Sequence, residues 1–276
     1  MEPNELMEHL RREINAFVQG SSSNYISLRG ALCPSAVNLK LFDEPLIGVA
    51  AADDPLFAAL QDDHVVGKQM RLPTDWLPSA QCVISYFLPL TERVRQSNYG
   101  ERPASTEWLH ARIEGQMFIM RIGEHIERLM RAAGYEAVCP ACHPDMEVTF
   151  DDADPAVAYH SNWSERHVAY TCGLGTFSLT RGIITEKGAA GRIGSTIVSA
   201  SLPITERAYT GIDDYCIKCG ACIDRCPVNA ISLDAGKDNY ACHQELIASK
   251  QLYPGYLGCG KCQVDVPCEC GIPSRP

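Results

Sequence analysis

Cys216-Ile-Lys-Cys219-Gly-Ala-Cys222-Ile-Asp-Arg-Cys226-Pro227 is the stretch on which the reading of this chain turns. Thiols at i, i+3 and i+6 wrap one cubane, because the two-residue loops between them aim each thiolate inward. The fourth thiol, before proline, turns away toward a second cluster. One run therefore implies two 4Fe-4S clusters, and the second set of ligands must follow. Cys242, Cys259-Gly-Lys-Cys262, Cys268 and Cys270 are there to supply it. We assign Cys216, Cys219, Cys222 and a crossing Cys268 to one cluster, and Cys226, Cys242, Cys259 and Cys262 to the other. An uninterrupted second run would place the crossing cysteine four residues after Cys262. Here Gln263-Val-Asp-Val-Pro267 intervene, so Cys270 stays open beside Cys268. Zinc also uses C-x2-C pairs, but it does not call for x2, x2, x3 spacing followed by proline.

Working outward, 276 residues at 46% hydrophobic suffice for one sizeable core and a small cofactor-stapled domain. The longest apolar run, Cys82-Val-Ile-Ser-Tyr-Phe-Leu-Pro-Leu90, is far short of the ~18 residues of a membrane helix, and a soluble protein is expected. Arg11-Arg12 is followed by Glu13-Ile-Asn-Ala, part of an amphipathic pattern and no apolar export segment. With 14 cysteines, half of them clustered at metal-ligand spacing, a reducing cytoplasm is expected over a disulfide framework. The formal charge is -10, and cluster binding takes it to about -14. No Lys/Arg-rich segment stands out, so the electrostatic footprint of a tRNA binder is missing.

Residues 4 to 18 carry Leu6, Leu10, Ile14, Phe17 and Val18 at helical spacing. Leu46 to Ala52 reads as a buried strand, with Asp53-Asp54-Pro55 opening a helix to about Gln61. Asp62-Asp63-His64-Val65-Val66-Gly67 matches D-x-H-x-x-G, by which some cobalamin domains present histidine to cobalt. The chain has no Gly-Gly pair to complete that signature, and a polar helix exit is the plainer expectation. After the strand at 82 to 90, Thr91 to Pro103 reads as a mobile loop. A long helix then runs from Thr106 to Ala133 with Leu109, Ile113, Phe118, Ile122, Ile126 and Leu129 facing the core. Tyr135 to Cys139 reads as another strand. Cys139-Pro-Ala-Cys142-His143 matches haem-attachment, redox-dithiol and half-zinc patterns; each lacks its context, and ordinary free thiols are expected.

Glu165-Arg166-His-Val-Ala-Tyr-Thr-Cys-Gly173-Leu174-Gly175-Thr-Phe, followed by Gly191-Arg-Ile-Gly194-Ser195 and the cysteine run, resembles the epoxyqueuosine reductase family. It resembles the reductive dehalogenases more distantly. The resemblance spans roughly residues 45 to 270, with its specificity in these segments. It implies an α/β (α+β) domain of nitroreductase-like type holding cobalamin, over residues 1–208. A ferredoxin-like domain with two 4Fe-4S clusters would follow over 209–276. From the residues themselves, Ser161 or Asn162 caps a short helix through Cys172, and Gly173 takes a left-handed conformation. Gly175 permits close backbone approach to a flat ligand. Arg166, Gly173, Leu174 and Gly175 are thus candidate cofactor contacts, with a structural turn as the plain alternative.

Two departures from the family matter. Ungapped alignment on Glu165-Arg166 puts Tyr159 where epoxyqueuosine reductases carry a proton-donating aspartate; reductive dehalogenases use tyrosine there. A phenol of pKa near 10 is a fair acid if a neighbour, here His160 or Arg166, compensates the phenolate. Tyr159 and His160 are the candidate catalytic residues, with a packed aromatic as the alternative for Tyr159. The family's chains also continue past the clusters into helical repeats, whereas this one stops at Pro276, which puts a tRNA substrate in doubt. The expectation is a cytoplasmic, cobalamin-dependent iron–sulfur oxidoreductase acting on a small molecule. An electron-transfer protein feeding a corrinoid or other partner protein is the alternative, and a truncated epoxyqueuosine reductase acting on tRNA is a third.

Overall fold

The computed structural model describes residues 2–149 and 160–274. In chain order the helices and strands are α1 (Pro3–Gly20), β1 (Leu46–Ala51), α2 (Pro55–Ala59), α3 (Pro73–Trp76), β2 (Cys82–Pro89), α4 (Glu92–Ser97), α5 (Thr106–Ala132) and β3 (Ala137–Val138). There follow β4 (Val148–Thr149), β5 (His160–Ser161), α6 (Glu165–Thr171), β6 (Gly175–Phe177), β7 (Ile183–Thr185) and β8 (Gly191–Val198). The last quarter holds α7 (Ala221–Asp224), β9 (Ile231–Ser232), β10 (Gly236–Lys237) and α8 (Asn239–Leu252).

A four-stranded sheet, β1-β2-β8-β3, is antiparallel throughout. β2 is buried along its whole length because it is paired on both edges and covered on both faces. Successive side chains of a strand point to opposite faces. Ile84, Tyr86 and Leu88 therefore join Leu6, Leu10 and Ile14 of α1 and Leu109, Phe118, Ile122 and Ile126 of α5 in one core. Val83 and Ile197 meet Trp163, Val168 and Cys172 on the other face. Helices thus cover both faces of an antiparallel sheet, in an α+β arrangement.

Three local expectations change. The strand read over 135–139 shortens to Ala137–Val138, since Pro140 has no N–H to give to the ladder. The segment 91–103, expected as a mobile loop, contains α4, whose Val94 is fully buried. The helix expected from Ser161 or Asn162 starts later, with Ser164 at its N-cap. Asn162 instead ties down the incoming chain: its Oδ1 accepts from Glu147 N at 3.0 Å, and its Nδ2 donates to Asp145 O at 2.8 Å. His64 lies exposed in a turn closed by its own N–H donating to Asp62 Oδ1 at 2.8 Å.

The last quarter, read from sequence as a domain of its own from 209 onward, shares the main core. Val264 is fully buried in the same cluster as Leu6 and Leu109. Gly260 sits at φ +68°, and a Cβ there would come within 1.9 Å of the Trp108 indole of α5.

Candidate iron–sulfur centre

Cys216, Cys219 and Cys222 wrap the start of α7. Lys218 and Gly220 take positive φ of +53° and +82°, which bends the short loops and lets consecutive thiols face one side. Cys222 is faced by Cys216, Cys219 and Cys226; burial, then these thiols, pushes its own thiol up to about 11. Cys268 is faced by Cys222, Cys216 and Cys219, and burial pushes it up to about 12. Cys262 is faced by Cys259, Cys242 and Cys226 and is likewise pushed by burial to about 12. The thiols thus fall into two sets of four, with Cys226 next to both and Cys268 returned to the first.

Cys270 is exposed, and Arg95 Nη1 donates to its sulfur. Half-buried thiols crowded this way resist ionising, so a cation must compensate them, and iron does so by binding the thiolates outright. Among the described residues no three His, Cys, Asp or Glu side chains converge on a point that would hold one metal ion. Ligands of a cubane each bind a different iron and stand around it. The thiols fit 4Fe-4S ligation.

What holds these loops in place comes from the other half of the chain. Ala189 N donates to Cys268 O at 2.8 Å, and Gly188, at φ +82°, has Glu269 O only 2.1 Å from where a Cβ would sit. Glu269, 5% exposed, accepts from Arg95 Nη1 at 2.9 Å, from Tyr99 Oη at 3.0 Å and from Asp265 N at 2.6 Å. Beside the second set, Asn98 Nδ2 donates to Cys259 O at 2.9 Å. Lys261 is 3% exposed, and its Nζ donates to Asn98 O and Oδ1 at 3.1 and 3.0 Å. Burial lowers the Lys261 pKa, while the neighbouring Cys259 opposes that. None of Arg95, Asn98, Gly188, Lys261 or Glu269 was singled out from the sequence. Only Lys261, between Cys259 and Cys262, and Glu269, between Cys268 and Cys270, lay close enough to a motif to be noticed.

The candidate residues of the α/β half fall in different places. Tyr159 lies outside the described residues. His160 is half-buried in β5, with its Nδ1 3.2 Å from Gln69 Nε2. Arg166 is exposed. Gly173 takes φ +81°, the left-handed conformation expected, but a Cβ there would lie 2.9 Å from Thr205 Cγ2. At Gly175 a Cβ would stand 1.9 Å from Ile184 O of β7. Leu174 is buried against Phe87 and Ala169. On the side where a Cβ would stand, Gly173 and Gly175 thus face the chain's own side chains and backbone.

Two features near this segment had no sequence signal. An aromatic row, His167, Phe177, Tyr170, Tyr209 and Tyr215, runs with successive centroids 4.8, 6.2, 5.0 and 5.5 Å apart and ends beside Cys216. Within it, burial and then Arg166 lower the His167 pKa to about 4, so this ring is neutral. Inside the fold, both carboxyl oxygens of Glu165 are buried without a hydrogen-bonded partner, and burial pushes its pKa up to about 8 against a smaller opposing pull from Ser195.

The fold and its thiols define a mixed α/β protein with an iron–sulfur segment. Residues 209–232 match the family model described as a 4Fe-4S binding domain. No curated protein matches the chain. Among solved structures, it is similar to the catabolic reductive dehalogenase NpRdhA in complex with 3-bromo-4-hydroxybenzoic acid. That likeness has 15% identity and a TM-score of 0.57, covering 97% of this chain and 37% of that one. It is also similar to an epoxyqueuosine reductase with a tRNA-Tyr epoxyqueuosine-modified stem loop, at 16% identity and a TM-score of 0.51, covering 97% of this chain and 67% of that one. The chain spans little more than a third of the dehalogenase's length. At these identities the likeness is one of fold. No helix among the described residues is long and apolar enough to cross a membrane.

Proposed function

We propose that this chain is an iron–sulfur oxidoreductase that passes electrons from two 4Fe-4S clusters to an acceptor on its α/β half. Cys216, Cys219, Cys222 and Cys268 hold one cluster; Cys226, Cys242, Cys259 and Cys262 hold the other. The observation that carries this is the sorting of the thiols into two sets of four, with Cys226 beside both. When bound, the clusters supply one-electron transfer at low potential. The chain's own residues fix the loops: Arg95 and Glu269 secure the turn bearing Cys268, and Asn98 and Lys261 secure Cys259. Lys261 also sets a positive charge beside the second set, which favours the more negative, reduced state there.

Cobalamin is the acceptor that the resemblance implies, and a small molecule its substrate, with Tyr159 or His160 as the proton source. Gly173 and Gly175 pack internally on the side where a Cβ would stand, and Leu174 packs through its side chain, so any contact of this segment with that cofactor falls to its backbone. The aromatic row His167, Phe177, Tyr170, Tyr209 and Tyr215, its rings tilted to one another, leads along the chain to Cys216 of the first set. The same packing favours a second reading, an electron-transfer protein whose α/β half docks a corrinoid or other partner protein. In either reading the net acidity argues against tRNA.

The test is anaerobic purification with added cobalamin, followed by iron and cobalt analysis and absorption spectra before and after dithionite. About eight irons and one cobalt per chain, with a shift to reduced cobalt, support the reductase. About eight irons without cobalt favour the electron-transfer reading, and an iron-free, zinc-loaded protein would refute both. If cobalt binds, Tyr159→Phe and His160→Gln should each lower turnover while leaving iron content unchanged.

A further inference from the structure

Cys139-Pro140-Ala141-Cys142 takes no part in the iron–sulfur centre, yet its surroundings are built around it. After β3 the chain enters a single 3₁₀ turn, Pro140–Cys142, with Cys139 at its N-cap and Cys142 N donating to Cys139 O at 2.9 Å. Such a turn keeps its end Cα atoms within about 7 Å. That overlaps the ~4.4–6.8 Å that a disulfide spans. The two thiols lie close enough to shift each other's ionisation, and the Cys142 thiol reaches Met120 O of α5 at 3.5 Å. α5 is bare where the pair meets it: at Gly123 a Cβ would lie 2.3 Å from Cys139 Sγ. The two thiols are unequal, Cys139 being 1% exposed and Cys142 only half-buried.

We propose that Cys139 and Cys142 form a reversible disulfide, and that the pair exchanges two electrons with an external dithiol–disulfide couple, Cys142 being the sulfur that is attacked or attacks.

Exchange in the oxidising direction runs as follows. Cys142 thiolate attacks the external disulfide, forming a mixed disulfide and releasing one external thiolate. Cys139 then loses its proton and attacks Cys142 Sγ, which displaces the second external thiolate. The protein pair has lost two electrons and two protons, and the external couple has gained them as a dithiol. The electrostatics suit this order. Its neighbour Cys139 lowers the Cys142 pKa, and Cys142, then burial, pushes Cys139 well up. The accessible sulfur is the one that ionises, and the enclosed sulfur resolves. The groups facing the pair are Glu124 and Glu127 of α5, Tyr86 of β2 and Glu165 of α6. Glu127 is engaged, its Oε1 accepting from Cys139 N at 2.7 Å. Glu165, with neither oxygen bonded, opposes both thiolates whenever it is ionised.

The experiment uses the anaerobic holoprotein, equilibrated in buffers running from fully reduced to fully oxidised dithiothreitol. It is then acid-quenched, alkylated with N-ethylmaleimide and digested for peptide mass analysis, with iron measured on the same samples. The expected result is a peptide carrying a Cys139–Cys142 link, lighter by two hydrogens. It should rise with oxidation through a single midpoint while iron content holds. In Cys139→Ser, with oxidised glutathione replacing dithiothreitol, Cys142 should accumulate as a mixed disulfide with glutathione. Alkylation of both thiols at every ratio would overturn the proposal. So would a link that forms only as iron is lost, or pairing of either cysteine with Cys82 or Cys172.

Discussion

Replacing Cys268 with alanine tests which thiols belong together. Its sulfur faces Cys222, Cys216 and Cys219, whereas the second set around Cys262 is made up of Cys259, Cys242 and Cys226. One ligand of one cubane is lost and the other cubane keeps its full complement. Iron per chain should therefore fall from about eight to about four, with sulfide falling in step, since each cluster carries four of each. Cys270→Ala is the matched control. That sulfur is exposed and turned to Arg95, so the variant should keep about eight irons. The assay is iron and sulfide analysis of anaerobically purified protein, with electron paramagnetic resonance of the dithionite-reduced samples to count the remaining clusters. Iron held at about eight in Cys268→Ala and halved in Cys270→Ala would refute the assignment, making Cys270 the crossing ligand. Loss of all iron in Cys268→Ala would show that the two sets do not load independently.

Three further outcomes follow from the packing and the buried charges. Glu165 keeps its proton up to about pH 8 in the folded chain but releases it near its ordinary value of about 4.3 when unfolded. The folded state thus holds an extra proton across that window, and stability declines as pH rises through it. Glu165→Gln, which does not titrate, should melt progressively higher than the parent as pH goes from 5 to 8, by a margin on the order of a few kcal/mol at the upper end. Parallel melting curves would show that the carboxyl is not held neutral. Gly260→Ala drives a methyl group into the Trp108 ring at a positive φ, costing about 1–3 kcal/mol, and should lower Tm by about 2–4 °C for each of them. An unchanged Tm would mean that this loop does not dock on α5. Glu269→Ala strands Arg95, which is only 17% exposed, and costs about 3–5 kcal/mol locally. Its first cluster should be stripped by a chelator faster than in the parent, and equal rates would remove the anchoring role.

The parts legible from sequence are those whose chemistry is local. Cluster ligation constrains spacing over a dozen residues, so Cys216 to Pro227 announces itself. Helical periodicity does the same for Leu6, Leu10, Ile14 and Val18, and a continuous apolar run for Cys82 to Leu90. The mortar between the halves is of another kind. Asn98 bonds to Cys259 and Lys261, over 160 residues away, and Arg95 to Glu269. Such polar pairs have no period and no motif, which is why the segment containing them read as a mobile loop.

The Gly-Leu-Gly segment shows a different limit. A glycine at a constrained position records that a Cβ would collide with something, and the sequence does not say with what. At Gly175 the obstacle is Ile184 O, at Gly173 the Thr205 side chain, and at Gly260 the Trp108 ring. The left-handed reading of Gly173 and the close-approach reading of Gly175 both hold, and Gly260, not read from the sequence, makes a close approach of the same kind. Gly123 follows the same logic and was passed over, because it sits mid-helix, where glycine costs about 1 kcal/mol relative to alanine. A helix that bears that cost exactly where a Cβ would meet the sulfur of Cys139 is shaped to the C-x2-C turn. The same glycine test that finds Ile184 O beside Gly175 thus finds the dithiol beside Gly123.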